Sequence, residues 1–365
     1  MPAPLAKIDR VQADAYVIPT DLPEADGTFA WNRTTLVVVE IAAGGHAGLG
    51  YTYSDASIVS LIERSLGPLL IGRDVAHGAA LWDAMLGAVR NLGSRGLAAN
   101  AISAIDVALW DLRARLFDQP LASLFGLARD AVPIYGSGGF TSYTNAQLVK
   151  QLAGWVEREG CRWVKMKIGS EPSRDLERVR IAREAIAPAG LFVDANGAYA
   201  RKQALDFAAR FADLEVTWFE EPVSSDDLAG LRLIRDRAPP GMEVAAGEYG
   251  YDRFYFRRMI ESGAVDVLQA DATRCCGYTG FLRAAAVADA AGVPLSAHTA
   301  PALHLPVCCA APRLCHIEWF HDHARIEAML FDGAPRPAAG MIAPDLSRPG
   351  HGLVFKRTDA EQFKA

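Results

Sequence analysis

Apolar and polar positions along this chain fall into two regimes. In the first third, residues 7–17 alternate loosely between the two kinds, and residues 34–41 form a β-branched run followed by Gly44-Gly45. Period-two alternation puts successive side chains on opposite faces of a strand, and paired glycines accept the positive φ angles of a tight turn. The segment therefore predicts strands, with a hairpin continuing through Gly48 to Tyr53. Residues 81–90 and 97–117 then carry apolar side chains at intervals of three and four, the spacing of helices packed on one side. Beyond residue 132 the rhythm changes. Short apolar runs at 132–135, 163–168, 191–194, 216–219, 243–246, 265–269, 294–297 and 316–319 alternate with amphipathic stretches such as 175–186, 201–211 and 280–290. Such runs, spaced by roughly 30 residues, match a parallel β/α barrel of about 250 residues. A doubly wound sheet has the same local grammar, and rhythm alone does not separate the two. The Pro- and Gly-rich tail is too irregular for another β/α unit.

This pattern predicts an α/β protein with an α+β segment at residues 1–128 and a barrel at 129–324. With 365 residues, 51% hydrophobic and 22% charged, the chain suits an ordinary globular enzyme. A net charge of −6 without any basic block argues against nucleic acid and anionic membranes as partners. The first ten residues lack a signal-like apolar core, and no apolar run is long enough to span a bilayer, so a cytoplasmic location is expected. Cys161, Cys275, Cys276, Cys308, Cys309 and Cys315 include no CxxC spacing and read as buried, reduced thiols.

Chemistry concentrates at the C-terminal ends of the predicted barrel strands. Asp194, Glu220 and Glu248 each follow an apolar run, one per β/α unit. A single acid there would most simply cap the next helix. Three in consecutive units converge on one barrel mouth, and an all-oxygen set favours Mg²⁺ over zinc. Glu221, next to Glu220, is ambiguous, since only one of the two can point directly at an ion. Lys165 and Lys167 flank Met166 inside one strand and so share a face. Two inward lysines are costly without counter-charges. Beside a metal-carboxylate cluster one can hold a substrate carboxylate, while the other acts as a neutral base with its pKa lowered by its cationic neighbour. His298 ends one strand and Asp271 the strand before it, a spacing that lets the carboxylate fix the imidazole tautomer. His304, His316, His321 and His323 read as supporting or structural. Glu318, at the last strand end, either bonds a substrate oxygen or caps a helix.

In order, the motifs are Val-Lys-Met-Lys-Ile-Gly, Asp-Ala-Asn-Gly, Trp-Phe-Glu-Glu-Pro, Ala-Gly-Glu, Asp-Val-Leu-Gln-Ala-Asp, Ser-Ala-His and His-Ile-Glu. Taken together they resemble the mandelate racemase subgroup of the enolase superfamily. The resemblance implies a modified (β/α)7β TIM-like barrel under an N-terminal α+β capping domain, with residues 325–365 packing back on the cap. It implies Mg²⁺ held by Asp194, Glu220 and Glu248. It also implies Lys167 as one general base, Lys165 as its electrostatic partner on the substrate carboxylate, and His298 with Asp271 as acid/base on the opposite face. Asn196 and Glu318 would face substrate, and a homo-oligomer is expected. One departure is Arg274-Cys275-Cys276-Gly277, where many relatives have a Gly-Gly step.

The same machinery serves dehydration, racemisation or epimerisation, and cycloisomerisation. The polar, acidic stretch at residues 19–28 and the hydroxyl-bearing 48–53 stretch would suit a polyhydroxylated acid, or are simply solvated turns. Together with the resemblance they favour dehydration of an aldonate or aldarate. Asp26 and Tyr51 are the expected cap contacts to this small-molecule carboxylate.

Overall fold

A computed structural model describes residues 6–365. Residues 1–5, assigned above to the capping segment, lie outside the described residues. The chain opens with a three-stranded antiparallel sheet of β1 (Ile8–Ala25), β2 (Ala30–Ala43) and β3 (His46–Tyr53). The β2–β3 turn is the two-residue Gly44-Gly45 loop, with φ of 57° and 78°, the left-handed pair that matches strand twist in a tight hairpin. The polar stretch at 19–28 is mostly strand rather than loop: β1 runs on to Ala25. Its register against β2 breaks between Pro19 and Glu24, so several β1 residues bulge opposite Asn32 alone. Val37, Val39 and Ile41 pack in one apolar core with Ile102, Ile105 and Leu109 of the helix Leu97–Leu116. The helix lies directly on β3. A Cβ at Gly50 would meet the Ala104 carbonyl oxygen at 2.1 Å, so only glycine permits this approach.

Eight parallel strands then close a barrel: β4 (Val132–Gly138), β5 (Trp163–Lys167), β6 (Gly190–Asp194), β7 (Val216–Glu220), β8 (Glu243–Ala246), β9 (Val267–Ala270), β10 (Leu295–Ala297) and β11 (Leu314–Phe320). Pairing of β11 with β4 completes the ring, which decides for the barrel over the open sheet. Helices such as Pro172–Ile186, Arg201–Ala212 and Gly277–Ala290 join consecutive strands. Alternation sorts the side chains. Val164 and Met166 join the apolar layer under the helices. Tyr135, Phe192, Trp218 and Val267 form a separate cluster, with Trp163 packed against it. His316 lies edge-on or tilted to four of these rings, completing an aromatic floor.

After β11 the helix His321–Leu330 runs through the 324/325 boundary drawn from sequence. The tail behind it returns to the cap: Phe331 and Phe355 pair with each other and pack on Tyr51 and Tyr16, and Ala365 N–H bonds the Ala15 carbonyl. All six cysteines are unpaired, five of them buried. No helix among the described residues is long and apolar enough to cross a membrane.

Candidate active site

Above the aromatic floor, the barrel mouth holds a dense layer of charge. Asp194, Glu220 and Glu248, at or just past the ends of β6, β7 and β8, are buried, and each offers an oxygen within 4.8 Å of the others. Lys165 Nζ lies 2.5 Å from Glu220 Oε1, 2.9 Å from Glu318 Oε1 and 3.5 Å from Asp194 Oδ2. Lys167 Nζ lies 2.5 Å from Asp194 Oδ2. Opposite, His298 Nδ1 donates to Asp271 Oδ2 at 2.8 Å, leaving Nε2 at 3.2 Å from Glu248 Oε2 and 3.7 Å from Glu318 Oε2. Ser137 and the Thr299 backbone N–H hold Glu318.

Two oxygens around this cluster, Glu221 Oε1 and Asn196 Oδ1, are buried without a hydrogen-bond partner, and Glu248 Oε2 faces only the His298 imidazole at 3.2 Å. Buried acceptors are normally satisfied. An orphaned set beside three converging carboxylates fits a hard divalent cation with all-oxygen ligands. Glu221, the ambiguous neighbour, belongs to this cluster: burial, reinforced by Glu248, Asp194 and Glu220, drives its carboxyl well above the usual range. Its backbone, like that of Asn196, is left-handed, with φ of 36° and 46°.

The charge states differ from one expectation. Lys167 was to be a neutral base with a lowered pKa. Burial, the largest single effect, pushes it down, as does the neighbouring Lys165, but Asp194, Glu248 and Glu220 together outweigh them, so its pKa is raised. Lys165 is raised as well, burial being overcome by Glu220 and Glu318. Burial likewise lowers His298, while Glu248, Glu318 and the bond to Asp271 overcome it and the opposing Arg274, leaving a pKa of about 9.

These residues open on a cavity of about 390 Å³ between barrel and cap. Lys167, Asn196, Glu248, His298 and Glu318 line it from below, and Asp26 from the cap. Asp26 spends its Oδ1 on the backbone N–H groups of Thr28 and Phe29. Tyr51 is a correction: it is fully buried, away from this cavity, and its hydroxyl donates to Glu327 Oε1 at 2.6 Å. The tyrosine of this strand that lines the cavity is Tyr53, two residues on along the same face, stacked on His323 with ring centroids 3.4 Å apart. Sequence reasoning missed Trp31, Arg33, Tyr249 and Arg274 on the cavity wall. Arg274 had a signal, since it opens the Arg274-Cys275-Cys276-Gly277 loop singled out in the sequence, and its guanidinium lies 3.2 Å from Glu248 and 3.6 Å from Asp271. A roomier cavity of about 620 Å³ lies near Asp21 and His321, away from the carboxylate–lysine layer.

A capped barrel whose mouth combines a three-carboxylate cluster, a lysine pair and a His–Asp pair defines an enolase-like protein. Residues 147–360 match the enolase C-terminal domain-like family, and residues 16–126 match the mandelate racemase/muconate lactonizing enzyme N-terminal domain. The chain belongs to this mandelate racemase branch of the enolase superfamily. It is 32% identical to the 3,6-anhydro-alpha-L-galactonate cycloisomerase of Streptomyces coelicolor, over 95% of this chain and 97% of the relative. It is 29% identical to the arabinonate dehydratase of Saccharolobus solfataricus, over 90% of each. Among solved structures, a mandelate racemase/muconate lactonizing enzyme-like protein from Rubrobacter xylanophilus superposes with a TM-score of 0.96 at 49% identity, covering 98% of this chain and all of that one. A racemase from Streptomyces coelicolor with bound magnesium superposes at 0.92 with 30% identity, over 98% of this chain and all of that one.

Proposed function

We propose that the protein is a Mg²⁺-dependent hydro-lyase that dehydrates an aldonate or aldarate to a 2-keto-3-deoxy acid. The observation that carries this reading is that Lys167 and His298, from opposite sides of the barrel, line one cavity whose cap wall includes Thr28, Arg33, Thr34, Thr35 and Ser54. These hydroxyls and the guanidinium offer hydrogen-bond partners to the several oxygens of a polyhydroxylated acid. A dehydratase and a cycloisomerase of acid sugars among the relatives support the substrate class.

Removing the proton next to a carboxylate creates an enediolate with two negative charges, so catalysis depends on cations that interact more strongly as that charge develops. Asp194, Glu220 and Glu248 would hold the magnesium, which supplies positive charge at the substrate carboxylate. Lys165, fixed between Glu220 and Glu318, adds a second cation on the same side. With Asp194 committed to the magnesium, Lys167 would lose the charge that raises its pKa and take the C2 proton as a neutral amine. His298, held by Asp271, gives a proton to the C3 hydroxyl as it leaves. The C2–H and C3–O bonds break, water departs, and the enol becomes the 2-keto acid. Use of a lysine or histidine base with a metal-stabilised enediolate is a general pattern of this superfamily.

The test is incubation with Mg²⁺ and a library of aldonic and aldaric acids, read as 2-keto acid with semicarbazide. Keto acid that disappears in Lys167→Ala and His298→Asn is the expected result. Exchange of the α-proton in D₂O without keto acid would instead establish racemisation or epimerisation. A lactone or ring-isomer product without water loss would establish the cycloisomerase reading suggested by the 32% identical relative.

A further inference from the structure

A second cluster of ligating side chains lies outside the cavity described above. Asp21, Glu24 and His321 each place one ligand atom within 4.8 Å of the other two. Asp21 and Glu24 belong to β1 of the cap, and His321 is the first residue of the helix that leaves the barrel. In a regular strand, residues three apart face opposite sides. The bulge of β1 between Pro19 and Glu24 brings these two together.

His321 Nε2 lies 3.0 and 3.1 Å from the two Asp21 oxygens. Glu24 is the telling member. It is 1% exposed; its Oε2 accepts the Trp31 indole N–H at 2.8 Å, and its Oε1 is buried with no partner. Neighbouring charge does not explain a buried carboxylate here. Asp322 adds another acid, and the nearby Arg325 is committed to Asp322 and to the Pro19 carbonyl. Burial, Asp322 and Asp21 all act to raise the Glu24 pKa, which reaches about 9. Asp21, His321 and Arg325 also line the cavity of about 620 Å³, which gives a hydrated ion a way in.

We propose that Asp21, Glu24 and His321 form a second divalent-cation site, of the zinc type, that clamps the capping hairpin to the barrel. Two carboxylates and one imidazole are the donor set of borderline cations such as Zn²⁺, unlike the all-oxygen set at the barrel mouth. Water from the adjoining cavity completes the shell. The ion gives the orphaned Glu24 oxygen its partner and offsets the charge of Asp21 and Glu24. It also fixes the strand end that leads into Asp26, Thr28 and Trp31 on the active-site wall.

The test counts ions on the full-length protein stripped with chelator and then dialysed against Zn²⁺. Two ions per chain are expected in the wild type, one in Glu24→Gln, one in His321→Asn and one in Glu248→Gln. A wild-type count that Glu24→Gln and His321→Asn leave unchanged overturns the clamp, and a count that Glu248→Gln leaves unchanged overturns the barrel-mouth site instead. If the Glu24 variant does not fold, Asp21→Asn, a conservative change at a more exposed position, replaces it. As a second readout, Co²⁺ is added to Mg²⁺-saturated protein. A visible absorption band that shifts in His321→Asn, with affinity weakened about tenfold or more in Asp21→Asn, supports imidazole ligation. A band identical in wild type and His321→Asn refutes it.

Discussion

Replacing Asp271 by asparagine tests the acid/base pair most directly. The Asp271 carboxylate accepts from His298 Nδ1 at 2.8 Å and from the Thr273 backbone N–H at 2.7 Å. Asparagine can keep the Thr273 bond through its oxygen, which turns its NH₂ toward His298. The imidazole must then accept at Nδ1 and carry its proton on Nε2, the nitrogen that faces Glu248 and Glu318. It can neither take a proton there nor hold its charged form against a carboxylate. Where a triad carboxylate is changed to an amide in this way, the loss is about 10⁴ in kcat, or ~5 kcal/mol. With the acid sugar found by the screen, kcat in Asp271→Asn is expected to fall by about 10³–10⁴ with little change in KM. His298→Asn should fall about as far, and the double variant scarcely further, because the two residues act as one unit. Losses that multiply in the double variant, or a loss below about tenfold for Asp271→Asn, would refute the pairing.

Mg²⁺ should raise the thermal midpoint, by an amount equivalent to about 2.7 kcal/mol at a hundred times its Kd, and Glu248→Gln should remove most of that rise in a melting scan. Tyr51→Phe strands Glu327 Oε1 and should cost about 1–3 kcal/mol in urea unfolding while leaving KM unchanged; a raised KM would return Tyr51 to the substrate site. Burial raises the Glu327 pKa from 4.5 to about 8, against the hydrogen bonds from Tyr51 and Ala302. The folded chain therefore holds a proton that the unfolded chain releases. This contribution is fully present below pH 4.5 and is lost as pH rises towards 8, by an upper limit on the order of 4–5 kcal/mol. Urea unfolding of Glu327→Gln should show a flatter stability profile across that window, and a slope equal to wild type would exclude the group.

The sequence by itself determined the β/α rhythm and the charged strand ends, because both are written in short-range order, while the pairing of β11 with β4 closed them into a ring. Period-two alternation sends Lys165 and Lys167 inward and Met166 outward, and one acid per β/α unit brings Asp194, Glu220 and Glu248 to the same end of the ring. Tertiary structure decided what depends on distance between segments remote in sequence. Tyr51 and Tyr53 share a strand face and look equivalent in sequence, but Tyr51 is buried against Glu327 deep in the helix His321–Leu330, whereas Tyr53 stacks on His323 at that helix's first turn, where the cavity opens. The Lys167 pKa is raised rather than lowered because Asp194 lies closer to its ammonium than any rule of spacing reveals. Asp21 and Glu24 meet only because β1 bulges, and His321 joins them from the far end of the chain. Coulomb energies and burial change over a few ångströms, and that scale is set by packing rather than by residue order.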